Sequence, residues 1–332
     1  MARFVFASSG SHQRLCSSLL SSLSLSLFHV SSRSISGGSL TRLQEQSCSG
    51  RSTILMITRN TMLRIKNKRY SSEQIKELRA AIGPLYGSNL TFCTDACLRR
   101  YLEARNWNVD KSKKMLEETL KWRTTYKPEE ILWHEVATES ETGKLYRANF
   151  HDREGRTIIV MRPAKQNTSS HDNQLRHLVY VLENAILSLP EDQEQMVCLI
   201  DFTGWSLSNS PIKTARETAN ILQCHYPERL AVGFLYNPPR IFETFWKVVK
   251  YFLDSKTFLK AKFIYPKNKE SMELLRKHFD LDVLPVEFGG RNQVQYNHEE
   301  FSKMMIAEDA VKASLRSLEE KTPQPGLAAQ AS

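Results

Sequence analysis

Three short, nearly continuous apolar runs in the second half of the chain constrain its fold more than any other feature. They are residues 197–202, 232–236 and 262–265. Runs of this length are typical of strands that are buried on both faces, as in a parallel sheet. Segments with helical periodicity separate and follow them, at residues 172–189, 211–224, 240–253 and 268–278. Because parallel neighbours need crossover connections, this alternation predicts an α/β fold with a mainly parallel sheet.

The region before the sheet has a helical pattern. Helices are predicted at 73–82, 94–105 and 110–126, with Ser71 and Ser72 as N-caps of the first. These segments form a small all-helical module.

A β-hairpin is predicted next, from two runs at 144–150 and 156–161 that flank an Asp-Arg-Glu-Gly turn. The polar tail from about residue 307 is expected to fray. The predicted organisation is an extension at 1–69, a helical module at 70–135, an α/β domain at 140–297 and a helical or disordered tail at 298–332.

The positive charge of the chain is concentrated in its extension. Residues 1–69 hold ten Lys and Arg but one acid, Glu45, and so carry +9 of the net +10. The nearly neutral body does not favour a nucleic-acid-binding domain. Residues 1–44 are rich in Ser and Arg and lack acids, which is typical of a plastid or mitochondrial transit peptide. The alternatives are a disordered extension without a targeting function and a translation start upstream of the native one. Met56 and Met62 lie near the folded part and could be that native start.

The sequence lacks the common catalytic motifs GxSxG, GxxxxGK[ST], GxGxxG and HExxH. Asp201 ends a predicted strand, where it is either a catalytic carboxylate or, as we favour, a local cap. Cys93 and Cys97 are four residues apart but have no nearby partner for a metal site. We therefore predict no enzyme activity, no cofactor and no metal. The six cysteines form no CxxC pair, which suits a reducing compartment.

No run of about 18 apolar residues is present, so any predicted membrane contact is peripheral. The segment 240–260 combines a strongly apolar helical face with a polar one. The apolar members are Phe242, Phe245, Trp246, Val249 and Phe252, with Phe258 in the lysine-rich link that follows. On periodicity alone this helix packs on the sheet; the alternative is a lid that contacts a bilayer.

Several motifs together resemble the CRAL-TRIO lipid-binding family, in particular the phosphatidylinositol transfer proteins of plants and fungi. The similarity covers residues 72–297. Its motifs are Leu98–Trp107, His225–Arg229, Asn237–Pro239, Phe252–Asp254 with Thr257 and Lys260, and Leu284–Gly290.

The resemblance implies a helical module on an α/β domain whose sheet is the floor of an apolar lipid pocket, closed by a mobile helix at 240–260. It also implies that Glu228, Thr257 and Lys260 support phosphatidylinositol binding, with Arg229 as a weaker candidate. Lys260 can neutralise a phosphodiester, and Glu228 can either hold Lys260 in place or accept hydrogen bonds from inositol hydroxyls. The alternative reading of Glu228 and Lys260 is a purely structural ion pair; the spacing match favours lipid contact.

Two departures from the family pattern affect the expected ligand. Met196 and Cys198 occupy positions where phosphatidylcholine-transferring members carry hydroxyls, which weakens the expectation of a choline lipid. Glu103 stands where an Arg is common, which removes a cation from the phosphate environment. The first hypothesis is a cytoplasmic, monomeric protein that binds phosphatidylinositol and associates peripherally with membranes. The alternatives are a carrier of a smaller tocopherol- or retinoid-like molecule and a regulatory interaction module.

Overall fold

The computed structural model describes residues 71–209 and 211–321, with side chains up to residue 315. The predicted extension, its transit peptide and its basic run lie outside the described residues, as do the last residues of the tail. Within the described ranges, no helix is both long and apolar enough to cross a membrane.

Four helices form the predicted module. They are α1 (71–82), α2 (Ser88–Phe92), α3 (Asp95–Ala104) and α4 (Val109–Tyr126). The Thr94 hydroxyl caps α3 by accepting from the Cys97 amide at 3.1 Å, and Asn108 caps α4 through the Lys111 amide at 2.9 Å. The prediction that Ser71 caps the first helix is wrong, because the helix already includes it.

The sheet contains five strands in the order β1-β2-β3-β4-β5. They are β1 (Leu145–His151), β2 (Thr157–Met161), β3 (Met196–Asp201), β4 (Leu230–Tyr236) and β5 (Ala261–Ile264). β1 and β2 are the predicted antiparallel hairpin, and the other three junctions are parallel. The predicted α/β class is therefore confirmed.

Seven helices flank or follow the sheet. They are α5 (Trp133–Ser140), α6 (His171–Leu187), α7 (Ile212–His225), α8 (Phe242–Val249), α9 (Ser255–Lys260), α10 (Lys269–His278) and α11 (His298–Lys321). Short 3₁₀ turns lie at Pro128–Glu130, Pro163–Lys165, Leu207–Asn209, Lys250–Phe252 and Val286–Phe288.

Three predicted boundaries are corrected. The helix expected at 240–253 ends at Val249 and continues as a 3₁₀ turn. The predicted link after it is helix α9, because Asp254 caps it through the Thr257 amide at 2.8 Å. The tail expected to fray from residue 307 remains helical to Lys321, anchored by Phe301 and Met305, which are buried in the core.

One face of the sheet is closed by the segment after β5. Phe234 contacts Phe279 with ring centroids 5.7 Å apart, and Tyr236 contacts Phe288 at 5.2 Å. Phe234, Phe279 and Phe288 are fully buried, so this face is a conventional packed core. The opposite face holds the candidate site.

A buried ionic network joins the helical module to the α/β domain. The guanidinium of Arg123 on α4 donates to both oxygens of Glu183 on α6, at 2.8 and 3.2 Å, and to Glu129 at 3.2 Å. The Tyr226 hydroxyl donates to Glu183 at 2.8 Å. Burial by itself raises the pKa of Glu183, but the charge and hydrogen bonds of Arg123 and Tyr226 outweigh it and hold this pKa below its ordinary value.

The Arg123→Ala substitution is predicted to lower the free energy of unfolding by about 3–5 kcal/mol, because it leaves the Glu183 carboxylate buried without its cation. Urea denaturation measures the change. The control is Arg79→Ala, which removes an exposed ion pair with Asp95 and should cost no more than about 1 kcal/mol. Equal, small losses in both variants would show that the network contributes little.

Candidate functional site

The second face of the sheet carries two rows of apolar side chains that run across four strands. Register places one row on Ile159, Cys198, Gly233 and Ala261, and the other on Met161, Ile200, Leu235 and Phe263. We call these the small row and the large row. Three of the four residues in the small row are Cys, Gly and Ala, so this part of the face is shallow.

The space directly over the shallow row is not filled by other side chains of the described residues. No heavy atom beyond its chain neighbours lies within 4 Å of the point where a Cβ of Gly233 would stand. Cys198 and Ala261 remain partly accessible, although β3 and β4 have strands on both sides. Burial nevertheless raises the pKa of the Cys198 thiol to about 12. We call the uncovered space over the small row the chamber.

Helix α8 covers the large row, and we call this helix the lid. Phe242 and Trp246 contact Phe263, with ring centroids 6.2 and 5.4 Å apart. Phe242, Phe245 and Val249 are buried in one cluster with Leu235. The predicted apolar face of this helix thus packs on the sheet, and it covers the large row while leaving the small row open.

An ion pair lies near the beginning of β4 and β5, next to the small row. Lys260 directly precedes Ala261 of the small row, and its Nζ donates to Glu228 Oε2 at 3.1 Å. Lys256 Nζ lies 3.8 Å from Glu228 Oε1. Glu228 is held at φ 56°, a left-handed conformation that is uncommon for a residue with a side chain. Its position is therefore imposed by the surrounding fold.

A cleft of about 340 Å³ lies outside this ion pair, against the helical module. Its lining residues are Glu103, Asn106, Trp107, Glu228 and Lys256. Burial, assisted by the negative charge of Glu228, raises the pKa of Glu103. Lys256 Nζ also donates to the backbone oxygen of Glu103 at 2.5 Å, so it links α9 to α3.

The loop that carries Glu228 is fixed by the residues before it. His225 stacks on Trp122 of α4 with ring centroids 4.1 Å apart, and its Nδ1 lies 3.1 Å from the Thr119 hydroxyl. Burial and the charge of Arg123 lower the pKa of His225 to about 4, so the ring is neutral at physiological pH. No group of three or more His, Cys, Asp and Glu side chains suited to a metal ion occurs among the described residues.

Glu228 and Lys260 form the ion pair that was the alternative to lipid contact, and Thr257 and Arg229 each have a protein partner. The Thr257 hydroxyl donates to Asp254 Oδ2 at 2.8 Å, as part of the cap of α9. Arg229 donates to Glu194 Oε2 at 2.9 Å, and Arg100 of α3 shares that carboxylate. Glu194, in the loop before β3, therefore joins the loop that carries Arg229 to the helical module.

Other predicted residues have local roles or mark the lid. Asp201 accepts from the Thr203 amide at 2.9 Å, which is the capping role that the sequence favours. Phe252 is half-buried and Phe258 is 42% exposed, with the Phe258 ring 6.0 Å from Trp246. Sequence reasoning missed Lys256, Asn106 and Trp107. The cationic character of the segment after α8 was the available signal for Lys256.

Filling the chamber tests whether it is the lipid pocket that the family resemblance implies. The Gly233→Leu substitution is predicted to reduce bound lipid at least about tenfold, because its side chain extends into open space over the small row. Lipid content by mass spectrometry and the melting temperature are the two measurements. The control is Gly290→Ala, whose Cβ would lie 1.8 Å from the Leu284 oxygen and should destabilise the protein. A folded Gly233→Leu protein with normal lipid content would place the ligand elsewhere.

Comparison with known proteins agrees with this geometry. The CRAL/TRIO domain family matches residues 140–290, and the CRAL/TRIO N-terminal domain family matches residues 74–118. The crystal structure of Sfh5 superimposes with a TM-score of 0.52 at 17% identity, over 75% of this chain and 96% of the other, which shows the fold.

Curated relatives include transfer proteins of yeasts. The chain is 33% identical over 223 residues to the phosphatidylinositol transfer protein PDR17 of Saccharomyces cerevisiae, covering 63% of this chain and 61% of that protein. It is 31% identical over 219 residues to the SEC14 cytosolic factor of Candida glabrata, covering 60% of this chain and 72% of that protein. Among five similar curated relatives, the match spans 20% to 61% of the relative's length. The chain belongs to the CRAL-TRIO family of lipid-binding and lipid-transfer proteins.

Proposed function

We propose that this protein encloses one phospholipid, phosphatidylinositol, in the chamber between the small row and the lid, and transfers or presents it at membrane surfaces. The observation that carries this proposal is the position of the Lys260–Glu228 ion pair at one end of an apolar chamber. An amphiphile with two apolar chains and a charged phosphate matches this arrangement, because the chains fit the apolar chamber and the phosphate fits the charged end. The relative PDR17 is named a phosphatidylinositol transfer protein, which supports the same ligand.

Lys260 and Lys256 are the proposed phosphate ligands. Both ammonium groups lie within 3.8 Å of the Glu228 carboxylate, so their charges already converge on one point. A lipid phosphate placed there exchanges one anionic partner for another, which limits the cost of desolvating the lysines. Thr257 contributes in this proposal once its hydroxyl rotates from Asp254.

Glu228 and Glu103 are the proposed acceptors for inositol hydroxyls. Carboxylates accept several hydrogen bonds each, and a polyol supplies the matching donors. Met196 and Cys198 supply no hydroxyl on β3 for a choline phosphate, which favours the inositol lipid over phosphatidylcholine.

The chamber supplies most of the affinity in this mechanism. Transfer of ten methylene groups from water contributes about 8 kcal/mol, at about 0.8 kcal/mol each. A charge-assisted hydrogen bond contributes about 1.5–3 kcal/mol. The apolar contacts therefore retain the lipid, and the polar end selects its headgroup. No covalent step is required, so the proposed activity is carriage rather than catalysis.

The proposed membrane-docking face lies on the outer side of the lid. Around α8 and in the segment that follows it, Ile241, Val248, Tyr251, Phe258 and Leu259 are all at least 40% exposed, and Lys247 is exposed among them. Apolar groups that insert between headgroups, flanked by lysines that contact anionic lipids, are typical of peripheral membrane binding. In this proposal the protein is cytoplasmic and visits membranes reversibly.

The first test is to identify the lipid bound to the chain after expression in a eukaryotic host. Enriched phosphatidylinositol supports the proposal. A neutral lipophile would instead favour the carrier of a small tocopherol- or retinoid-like molecule. An empty protein that does not load from phosphatidylinositol vesicles would favour an interaction module.

The Lys260→Ala substitution is predicted to lower phosphatidylinositol transfer between vesicles by about 10- to 100-fold, the effect of losing one charge-assisted hydrogen bond. Folding should persist because Lys256 still neutralises Glu228. The control is Lys262→Ala, which removes a lysine that is paired with Phe234 in register and so lies on the sheet face away from the chamber. Unchanged transfer by Lys260→Ala would remove this residue from the mechanism.

The Leu259→Ser and Tyr251→Ser double variant is predicted to weaken binding to anionic vesicles by about tenfold while its bound lipid stays normal. These side chains are 70% and 80% exposed, so their loss leaves the core unchanged. Vesicle sedimentation measures the binding. Leu187→Ser is the matched control, since Leu187 is 67% exposed at the end of α6. Equal binding by all variants would show that another surface docks.

A further inference from the structure

Gln223, in the last turn of α7, bonds the backbone of the segment that follows the lid. Its Nε2 donates to the Phe252 carbonyl oxygen at 2.6 Å. Its Oε1 accepts from the Asp254 amide at 2.5 Å. One half-buried side-chain amide therefore spans residues 252–254 and satisfies a carbonyl and an N–H group two residues apart.

These two bonds lie on opposite sides of a junction between two functional elements. Phe252 ends the 3₁₀ turn that continues α8, which is the lid. Asp254 caps α9 through the amide and hydroxyl of Thr257. Helix α9 carries Lys256 and Lys260. Any movement of the lid relative to the polar site must therefore pass through the segment that Gln223 holds.

The helix that carries Gln223 is anchored to the rest of the protein at the same end. The Cys224 carbonyl accepts from the Thr119 hydroxyl at 2.9 Å, and His225 stacks on Trp122. Tyr226 belongs to the buried network of Arg123 and Glu183. Gln223 thus extends from a fixed base to a segment that the proposed exchange cycle must move.

We propose that Gln223 is a positioning residue that acts as the hinge anchor of the lid, an inference that rests on the proposed lipid-exchange function. Its bond to Phe252 holds the lid closed. Its bond to Asp254 holds α9, and so Lys256 and Lys260, in register with Glu228. When the lid opens, the Phe252 bond breaks and the Asp254 bond remains. The polar site stays assembled while the acyl chains enter or leave.

Two substitutions separate the two bonds. Gln223→Glu keeps an acceptor for the Asp254 amide but replaces the donor to Phe252 with a negatively charged oxygen. Gln223→Ala removes both bonds. Asn220→Ala is the matched control, because this exposed amide lies one turn earlier on α7 and accepts from the Cys224 thiol at 3.4 Å.

The measurement is hydrogen exchange of the purified protein, followed by transfer of fluorescent lipid between vesicles that contain either phosphatidylinositol or phosphatidylcholine. Gln223→Glu should exchange about five- to tenfold faster at 246–252 only, and transfer faster with unchanged headgroup preference. Gln223→Ala should exchange faster across 246–260 and lose at least half of that preference. Asn220→Ala should match the unmodified protein.

Two outcomes would overturn the anchor. One is unaltered exchange in both Gln223 variants. The other is equally faster exchange along α7 itself, which would make Gln223 an ordinary packing residue. Hydrogen exchange needs no vesicles, so it tests the hinge-anchor role of Gln223 independently of the proposed lipid transfer. If the exchange pattern is as expected but the unmodified protein transfers no phospholipid, the anchor stands and the lipid-transfer function fails.

Discussion

The position of the candidate site depends on the buried charge of Arg123. Its guanidinium on α4 is neutralised by Glu183 on α6, and Tyr226 completes the network from the end of α7. A charge removed from water requires a partner at close range, so these three elements have one favourable arrangement. That arrangement fixes the loop after α7, and Glu228 lies two residues beyond Tyr226. The helical module is thus part of the site's scaffold rather than an appendage.

The chamber is a departure from ordinary core packing. The face of the sheet that meets Phe279 and Phe288 is filled, whereas the small row on the other face leaves open space. Open apolar volume inside a protein costs stability, because the lining atoms lose contacts. The large row and the lid limit that cost by packing aromatic rings against each other. A ligand that fills the remaining space would recover the lost contacts, which is consistent with the family to which the chain belongs.

Much of the fold followed from local patterns. The buried strands, the hairpin and the helices between them were predicted because their periodicity and turn residues act over a few positions. The predictions failed where longer-range contacts intervene. The tail is helical beyond residue 307 because Phe301 and Met305 anchor it in the core. The expected link is helix α9, whose cap, Asp254, is held by a side chain 31 residues away. Local patterns also gave no sign that Arg229, a weaker candidate for lipid contact, has Glu194 from another loop as its partner.

The sequence by itself determined the α/β class and the apolar face of α8, because these depend on residue type and on a periodicity that the chain carries locally. Only the tertiary structure decided which strand positions share a row, and therefore that Cys198, Gly233 and Ala261 form the shallow floor. It also placed Glu103 and Lys256, 153 residues apart, in one cleft. Register and helix docking are set by the packing of whole elements, and no local pattern encodes them.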